Sequence, residues 1–319
     1  MPAKLFLTLV FIVFSGGCSN LMQADLPDHV FAEVHEFGTT ALAYTPDGRS
    51  LISGGFRGEL KRWDLAGRQS TSLPKGHTSA VRAILPLSPR ALASGGDDGR
   101  LILWQGNAIK AQTRGESITA LAWFQGRIVS AHSDQRLRFW SPDSLQLLGE
   151  LPFDADIAAL SARRDRLAVG LTDRIVLLDS ALKPRTTLAT RGVPHDLQFS
   201  PDGNTLAAGS WFRLHVWDIQ TGMARSIPTE HNGLLTSVAF SPNGKQLVTL
   251  GRHTDSAIRI LDTRDFSVVR RYQAHELCGA MIRYSPDGRM LASASDDESV
   301  RLYRLDRPSQ IPRPQPAAH

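Results

Sequence analysis

Residues 76–104 of the chain read GHTSAVRAILPLSPRALASGGDDGRLILW, and this stretch decides the fold. It holds three apolar, strand-like runs, the last of which ends at Trp104. Turn-forming residues separate the runs, above all Gly95-Gly-Asp-Asp-Gly99. Because short strands joined by tight turns pair in antiparallel order, the segment predicts a β-meander.

The same unit recurs along the chain. Seven strand-like runs end in an aromatic or aliphatic residue, at intervals of 36 to 44 residues. These residues are Trp63, Trp104, Trp140, Leu178, Trp217, Leu261 and Tyr303. A period of about 40 residues predicts a repeat architecture in which each unit is one small sheet.

A tight-turn motif marks the same register. It occurs as Thr45-Pro-Asp-Gly48, Ser200-Pro-Asp-Gly203, Ser241-Pro-Asn-Gly244 and Ser285-Pro-Asp-Gly288. Proline presets φ for the first central position of a turn, and Asp-Gly or Asn-Gly suits the remainder. The fourth repeat has Ala162-Arg-Arg-Asp165 instead and no tryptophan, so we count it as a unit from its spacing alone.

Together these motifs resemble the WD-repeat β-propeller family over residues 29–307. The resemblance implies an all-β fold, a seven-bladed β-propeller of four-stranded antiparallel blades. The last repeat lacks its outer strand, and residues 29–35 form an unpaired strand-like segment. The resemblance implies that this N-terminal strand completes the last blade and closes the ring, which removes an exposed sheet edge.

The family also has a hydrogen-bonded structural tetrad, which the resemblance assigns here to His77, Ser94, Asp98 and Trp104. A buried indole N–H and a buried imidazole both need partners. Other repeats keep only part of the set, and the residues concerned are Asp134 and Trp140, Asp255 and Leu261, and His275, Asp297 and Tyr303. Four of the ten histidines lie at repeat starts, which favours a structural role over a metal centre; they are His35, His77, His231 and His275.

Two turns depart from this pattern. Repeat five has Ser210-Trp211-Phe212-Arg213 where the tetrad aspartate is expected, and repeat one has Phe56-Arg57. The resemblance places such turns on the face that contacts partners, and aromatic residues and arginine dominate interface energetics. Phe56, Arg57, Trp211, Phe212 and Arg213 are therefore candidate partner-binding residues. The alternative is that Trp211 and Phe212 pack between blades.

The N-terminus predicts an address. Leu5–Phe14 is an apolar run of ten residues after a basic start, too short to cross a bilayer, which needs about 20. Ser15-Gly-Gly-Cys18 resembles the lipobox of bacterial lipoproteins. That resemblance implies a signal peptide at 1–17, acylation of Cys18 and an anchor or linker at 18–28. The alternative is a plain secretory signal with an incidental cysteine.

Several further expectations follow. Ser19, where the lipoprotein retention signal has aspartate, implies the outer membrane of a bacterial cell envelope, facing the periplasm. Residues 308–319 are proline-rich, and we expect a disordered tail. Two cysteines are too few for a disulfide framework, and the neighbours of Cys278 favour a buried strand. The net charge of +5 has no run of cations, so we expect no nucleic-acid partner.

The sequence contains no phosphate loop, no His-Glu-x-x-His zinc site and no nucleophile elbow. We therefore assign no catalytic residue, no metal and no cofactor. The predicted function is a non-enzymatic, membrane-anchored scaffold, monomeric, that presents a propeller face to a protein or peptide partner. The alternative is a propeller enzyme or redox protein that uses the central channel, since Asp218-Ile-Gln-Thr-Gly222 is loosely shared with quinone-binding propellers.

Overall fold

The computed structural model describes residues 24–253 and 255–307, and over these ranges the chain consists of strands and turns without a helix. Nothing in the described part of the chain could therefore serve as a membrane-crossing helix. Cys18 and the proline-rich tail at 308–319 lie outside the described residues.

The strands form seven antiparallel sheets of four, which we call blades. The first strand in each blade contacts the first strands of its neighbours, and β26 contacts β2, so these strands form a closed inner ring. From the inner ring outward, the blades are as follows. Blade 1 contains β2 (Thr39–Tyr44), β3 (Ser50–Gly55), β4 (Leu60–Asp64) and β5 (Gln69–Ser72); blade 2 contains β6 (Val81–Pro86), β7 (Ala91–Gly96), β8 (Arg100–Gln105) and β9 (Ala108–Arg114); blade 3 contains β10 (Ile118–Phe124), β11 (Arg127–His132), β12 (Arg136–Trp140) and β13 (Leu147–Pro152). Blade 4 contains β14 (Ile157–Arg163), β15 (Arg166–Leu171), β16 (Arg174–Leu178) and β17 (Pro184–Ala189); blade 5 contains β18 (Leu197–Phe199), β19 (Thr205–Gly209), β20 (Arg213–Asp218) and β21 (Ala224–Pro228). Blade 6 contains β22 (Leu234–Phe240), β23 (Gln246–Arg252), β24 (Ile258–Asp262) and β25 (Val268–Tyr272); blade 7 contains β26 (Gly279–Tyr284), β27 (Met290–Ser295), β28 (Val300–Arg304) and β1 (His29–Phe31).

The predicted seven-bladed propeller is confirmed, including the fourth blade and the closure by the N-terminal strand. β1 pairs with β28 in antiparallel register, with Val30 opposite Arg301. The chain before β1 also lies on the ring. Asp25 is buried, bridges to Tyr272 and accepts a 2.6 Å bond from Arg270, so the last residues of the predicted 18–28 linker are held against blade 6.

Apolar clusters between adjacent blades form the core. The cluster between blades 7 and 1, for example, contains Leu42, Trp63, Ala294 and Val300. The seven clusters follow the seven blade interfaces, because each sheet alternates side chains toward its two neighbours. Burying a large aliphatic side chain contributes about 2 kcal/mol, so these interfaces hold the ring.

The two ends of the strands define two faces. The turns between second and third strands, including Asp98 and Trp211, lie on one end, which we call the tetrad face. The turns between first and second strands lie on the other end, the proline-turn face. There the glycine of one proline turn faces the proline of the preceding one. Pro201 faces Gly244, Pro242 faces Gly288 and Pro286 faces Gly48. We call this series the turn collar; it runs through blades 5, 6, 7 and 1.

Cys278 differs from its prediction. It is a free, half-buried cysteine in the loop just before β26, not within a buried strand. Its carbonyl accepts bonds from the Ser295 hydroxyl and the Asp296 amide. The backbone of this residue, rather than its thiol, ties the loop to the blade 7 turn.

Candidate functional site

Blade 2 contains the complete chain of four side chains. Trp104 Nε1 donates to Ser94 Oγ at 2.8 Å, and Ser94 Oγ lies 2.7 Å from His77 Nε2. His77 Nδ1 lies 3.0 Å from Asp98 Oδ1. Burial lowers the pKa of His77, so the imidazole is neutral at pH 7 and can donate to Asp98 while it accepts from Ser94. The sequence-predicted tetrad residues thus lie together as one buried hydrogen-bonded chain.

Blades 6 and 7 have variants of this chain. His231 lies 2.9 Å from Thr249 and 3.3 Å from Asp255, with Leu261 in place of the tryptophan. In blade 7, whose residues are His275, Ser293, Asp297 and Tyr303, the histidine lies 2.7 Å from the serine and 3.0 Å from the aspartate. Arginines also bind the two carboxylates, at 3.1 Å for Arg259 and 3.2 Å for Arg301. Sequence analysis did not name Thr249 or Ser293, although each sits at the position of Ser94 in its strand.

Blade 1 has the chain without the acid. His35 Nε2 lies 2.8 Å from Ser53 Oγ, which also accepts from Trp63 Nε1 at 2.9 Å. Among the described residues His35 Nδ1 has no hydrogen-bond partner. Burial, with a smaller effect of Lys61, therefore lowers the pKa of His35 to about 4.

Blade 3 obtains its histidine from another position. His132, in β11 itself, lies 2.7 Å from Ser130 Oγ, which accepts from Trp140 Nε1 at 2.7 Å. Asp134 does not take part, because its carboxylate pairs with Arg138 at 2.6 Å. The interpretation of Asp134 as a remnant of the tetrad is therefore wrong. No spacing rule in the sequence distinguishes His132 from an ordinary strand residue.

Blades 4 and 5 have lost the chain. Blade 4 buries Val169 and Leu178 in an apolar cluster. Blade 5 keeps Trp217, but Ala208 stands in the place of the serine, and the indole nitrogen has no partner among the described residues.

The blade 5 turn presents two aromatic rings to solvent. Trp211 is 52% exposed and Phe212 53%, so the alternative that they pack between blades is wrong. Backbone bonds explain their position: Phe212 N donates to Gly233 O, and Trp211 bridges to Leu234. The Trp211 ring stacks on His253 of blade 6, with centroids 5.5 Å apart and planes 4° apart.

The second predicted turn has a similar surface. Arg57 is exposed, pairs with Glu36 at 2.6 Å and lies 4.7 Å above the ring of Phe37. Phe37 is 57% exposed, and sequence analysis missed it. Phe56 is half-buried, with Arg82 at 6.0 Å from its ring.

Contacts connect the two turns across blades 6 and 7. Arg252, next to His253, pairs with Asp296 at 2.9 Å. In the same blade 7 turn, Glu298 Oε1 accepts from Phe37 N at 2.9 Å. We call the exposed residues along this line the aromatic arc: Phe37, Arg57, Trp211, Phe212 and His253. Arg213 lies outside it, because its guanidinium donates to Ser226 on the outer strand of blade 5.

The central channel holds a cavity of about 400 Å³ lined by the inner strands. Its polar cluster joins Arg283 to Asp196 at 3.0 Å and to Ser237 at 2.8 Å. Burial, and then the charge of Arg252, lowers the pKa of the nearby His195. Among the described residues, no three His, Cys, Asp or Glu side chains are grouped as a metal would need.

Comparison with known proteins defines the class. The family model for the WD domain, G-beta repeat matches residues 27–64, 67–105, 183–218, 224–262 and 266–304, more than half of the chain. The protein therefore belongs to the WD-repeat family, and this fold fits a non-enzymatic role in protein interaction. The unmatched residues 106–182 contain most of blades 3 and 4.

Individual relatives are distant and eukaryotic. The chain is 26% identical to Protein HIR1 of Candida albicans over 196 residues, which are 56% of this chain and 21% of that protein. It is 22% identical to Ribosome biogenesis protein YTM1 of Eremothecium gossypii, over 82% of this chain and 63% of the relative. It is 22% identical to Autophagy-related protein 16 of Arabidopsis thaliana, over 91% and 52% of the two chains. The chain thus spans less than two thirds of the length of these relatives.

Proposed function

We propose that this propeller is a non-enzymatic scaffold that binds a protein or peptide partner through the aromatic arc. The exposure of Trp211 and Phe212 carries the proposal. An exposed pair of large aromatic rings is uncommon on a soluble surface and is typical of contact sites. Both rings occupy a turn that in blade 2 supplies a buried structural aspartate.

The geometry of the arc favours binding with a small entropic cost. The stack on His253 limits the rotation of the Trp211 ring, and the backbone bond from Phe212 to Gly233 fixes the turn. A side chain that is already ordered loses less freedom when a partner covers it, by about 0.5–1.5 kcal/mol per residue. Arg57 adds a planar cation that can bind a partner carboxylate, in place of its exposed pair with Glu36.

Site-specific crosslinking in the native cell tests this function. A photo-crosslinking amino acid in place of Phe212 should capture a discrete partner, and the same amino acid in place of Met223 should not. Met223 is the matched control because it is 69% exposed, in the same blade, at the end opposite the arc. Equal capture at both positions, or none at Phe212, would contradict the proposal.

Alanine variants then separate binding from folding. We expect Trp211→Ala with Phe212→Ala to abolish partner capture and leave thermal unfolding within about 0.5 kcal/mol of the native protein, since exposed side chains contribute little to stability. A large loss of stability with the partner retained would assign these rings a structural role.

We further propose that Cys18 carries a lipid anchor and that the propeller faces the periplasm from the outer membrane. The support is the sequence pattern of Leu5–Phe14 and Gly16-Gly-Cys18. One acyl chain binds a membrane only marginally, at about 0.8 kcal/mol per buried methylene, whereas two or three chains anchor stably. Cys18→Ser should move the protein to the soluble fraction, and Cys278→Ser should not. An unchanged membrane fraction for Cys18→Ser would refute the anchor.

A further inference from the structure

A basic groove crosses the proline-turn face at blades 3 and 4, opposite the aromatic arc. Its volume is about 660 Å³, and its lining includes Trp123, Gln125, Arg163, Arg164 and Gln198. Its walls come from blades 2 to 5, so the groove is elongated along the ring. It also lies mainly in the part of the chain that the family model does not match.

The groove exists because the turn collar is interrupted here. Blades 5, 6, 7 and 1 have four-residue proline turns that contact one another. In blade 3, β10 and β11 are joined by Gln125-Gly126 alone, and in blade 4, β14 and β15 are joined by Arg164-Asp165 alone. Gln125 and Arg164 have positive φ values of 50° and 52°, as such short hairpins require. The shorter turns leave uncovered the space that proline turns fill in the other blades.

The chemistry of the groove is one-sided. The Trp123 side chain is 45% exposed. The Arg163 guanidinium donates to the Pro201 carbonyl, which holds it at the groove edge. Arg164 is exposed, and its carbonyl accepts from Gln125 Nε2 at 3.1 Å. No carboxylate lines the groove, and within the described ranges none lies within 4 Å of either guanidinium. Most other arginines on this surface have an acidic partner.

We propose that the basic groove binds an extended, acidic segment of a partner protein that carries an aromatic or aliphatic side chain next to its carboxylates. The two guanidinium groups complement the carboxylates, and the Trp123 indole offers a flat apolar contact beside them. The elongated shape favours a chain segment over a compact small molecule. The tail of this chain does not fit, because residues 308–319 contain Arg313 and no acidic residue.

Two labelled synthetic peptides of equal length test the groove by fluorescence anisotropy. One has aspartates and glutamates around a central phenylalanine; the other has asparagines and glutamines in their place. We expect the acidic peptide to bind at least about tenfold more tightly, with an affinity that falls as salt rises. Arg164→Glu and Trp123→Ala should each weaken its binding by about tenfold.

Matched variants on the tetrad face supply the control. Arg213→Glu and Trp211→Ala change the same residue types and should leave the affinity unchanged. Loss of binding in those variants alone would place the peptide on the aromatic arc and overturn the groove. Equal binding of the neutral peptide would overturn the charge argument. Full competition by phenyl phosphate at the affinity of the peptide would identify a small-anion pocket instead of a docking groove.

A third variant tests the origin of the groove. Replacement of Gln125-Gly126 by Ser-Pro-Asp-Gly gives blade 3 the turn that blades 5 and 7 have, and should fill the space. We expect loss of peptide binding with an unchanged far-ultraviolet circular dichroism spectrum. Retained binding in a folded variant would refute the proposal. The substitutions at Arg164 and Trp123 decide the matter if this variant does not fold, and neither depends on the function proposed for the aromatic arc.

Discussion

Blades 2 and 5 bury the same residue type at the same position of the third strand, but they treat it differently. Trp104 donates to Ser94, and the chain continues through His77 to Asp98. Trp217 faces Ala208, and its nitrogen has no partner in the described structure. Both indoles are almost completely buried. The blade therefore forms without the tetrad, because the apolar interfaces between blades supply most of the stability.

The difference frees the turn for another use. In blade 2 the turn must place Asp98 inward, where it accepts from His77 and from the Thr78 amide. In blade 5 no buried histidine needs a carboxylate, so the turn can project Trp211 and Phe212 into solvent. Loss of the polar chain and gain of the aromatic surface are thus two results of one local change.

Blade 1 lies between these extremes and gives the largest predicted effect. Below pH 6.5 the imidazole of the unfolded chain takes up a proton, whereas folded His35 stays neutral down to about pH 4. The unfolded state then binds more protons, so the free energy of unfolding falls between pH 6.5 and 4, by up to about 3 kcal/mol from this residue.

Urea unfolding at a series of pH values measures this effect. His35→Gln removes the titrating group, so its stability should depend less on pH in that window. Below pH 4 the two proteins should have parallel profiles, because His35 is then protonated in both states. Identical slopes between pH 6.5 and 4 would show that His35 has an ordinary pKa.

The next effect concerns the acid of blade 2. Asp98→Ala leaves the buried donors of His77 and Thr78 unsatisfied and should lower the free energy of unfolding by about 1–3 kcal/mol. The matched change is Asp134→Ala in blade 3, where the carboxylate binds Arg138 and no histidine. Its cost should stay below about 1 kcal/mol, as for other partly exposed ion pairs. Thermal and denaturant unfolding measure both, and no loss for Asp98→Ala would contradict a structural role for the chain.

Sequence reasoning reached the fold because propeller blades repeat both their turns and their strand-ending residues. It failed where position depends on a neighbouring blade. His253 supports Trp211 only because the second turn of blade 6 is two residues longer than that of blade 2, and the sequence does not reveal the ring that this length brings into contact. The Ala162-Arg-Arg-Asp165 departure was visible, but the groove beside it depends on the turns of blades 3 and 5 as well.

A smaller effect comes from changing both tryptophans to phenylalanine. Trp104→Phe loses a hydrogen bond and leaves Ser94 with one partner fewer. Trp217→Phe loses similar apolar contact but also removes an unpaired buried N–H. We expect the first variant to lose more stability than the second by about 1 kcal/mol. Denaturant unfolding of the two variants measures this difference, and equal losses would mean that the Trp217 nitrogen is satisfied in solution.

The smallest effect is a gain of stability in blade 5. Ala208→Ser would place a hydroxyl where Ser94 stands in blade 2, within reach of Trp217 Nε1. The hydroxyl can donate to the carbonyl of His215, which is paired opposite Ala208, as Thr249 in blade 6 donates to the Arg259 carbonyl. We expect the free energy of unfolding to rise by about 0.5–1 kcal/mol, because an unmet donor acquires a partner.

Ala207→Ser is the matched control for this gain. Ala207 is equally buried, but it faces the cluster between blades 5 and 6, which contains no tryptophan. A hydroxyl there has no indole to serve and should lower stability by about 1 kcal/mol. A loss at both positions would mean that the hydroxyl costs more to bury than the indole gains. Blade 5 would then have lost its tetrad serine without a penalty, and the unpaired Trp217 would be a neutral feature of the apolar blade.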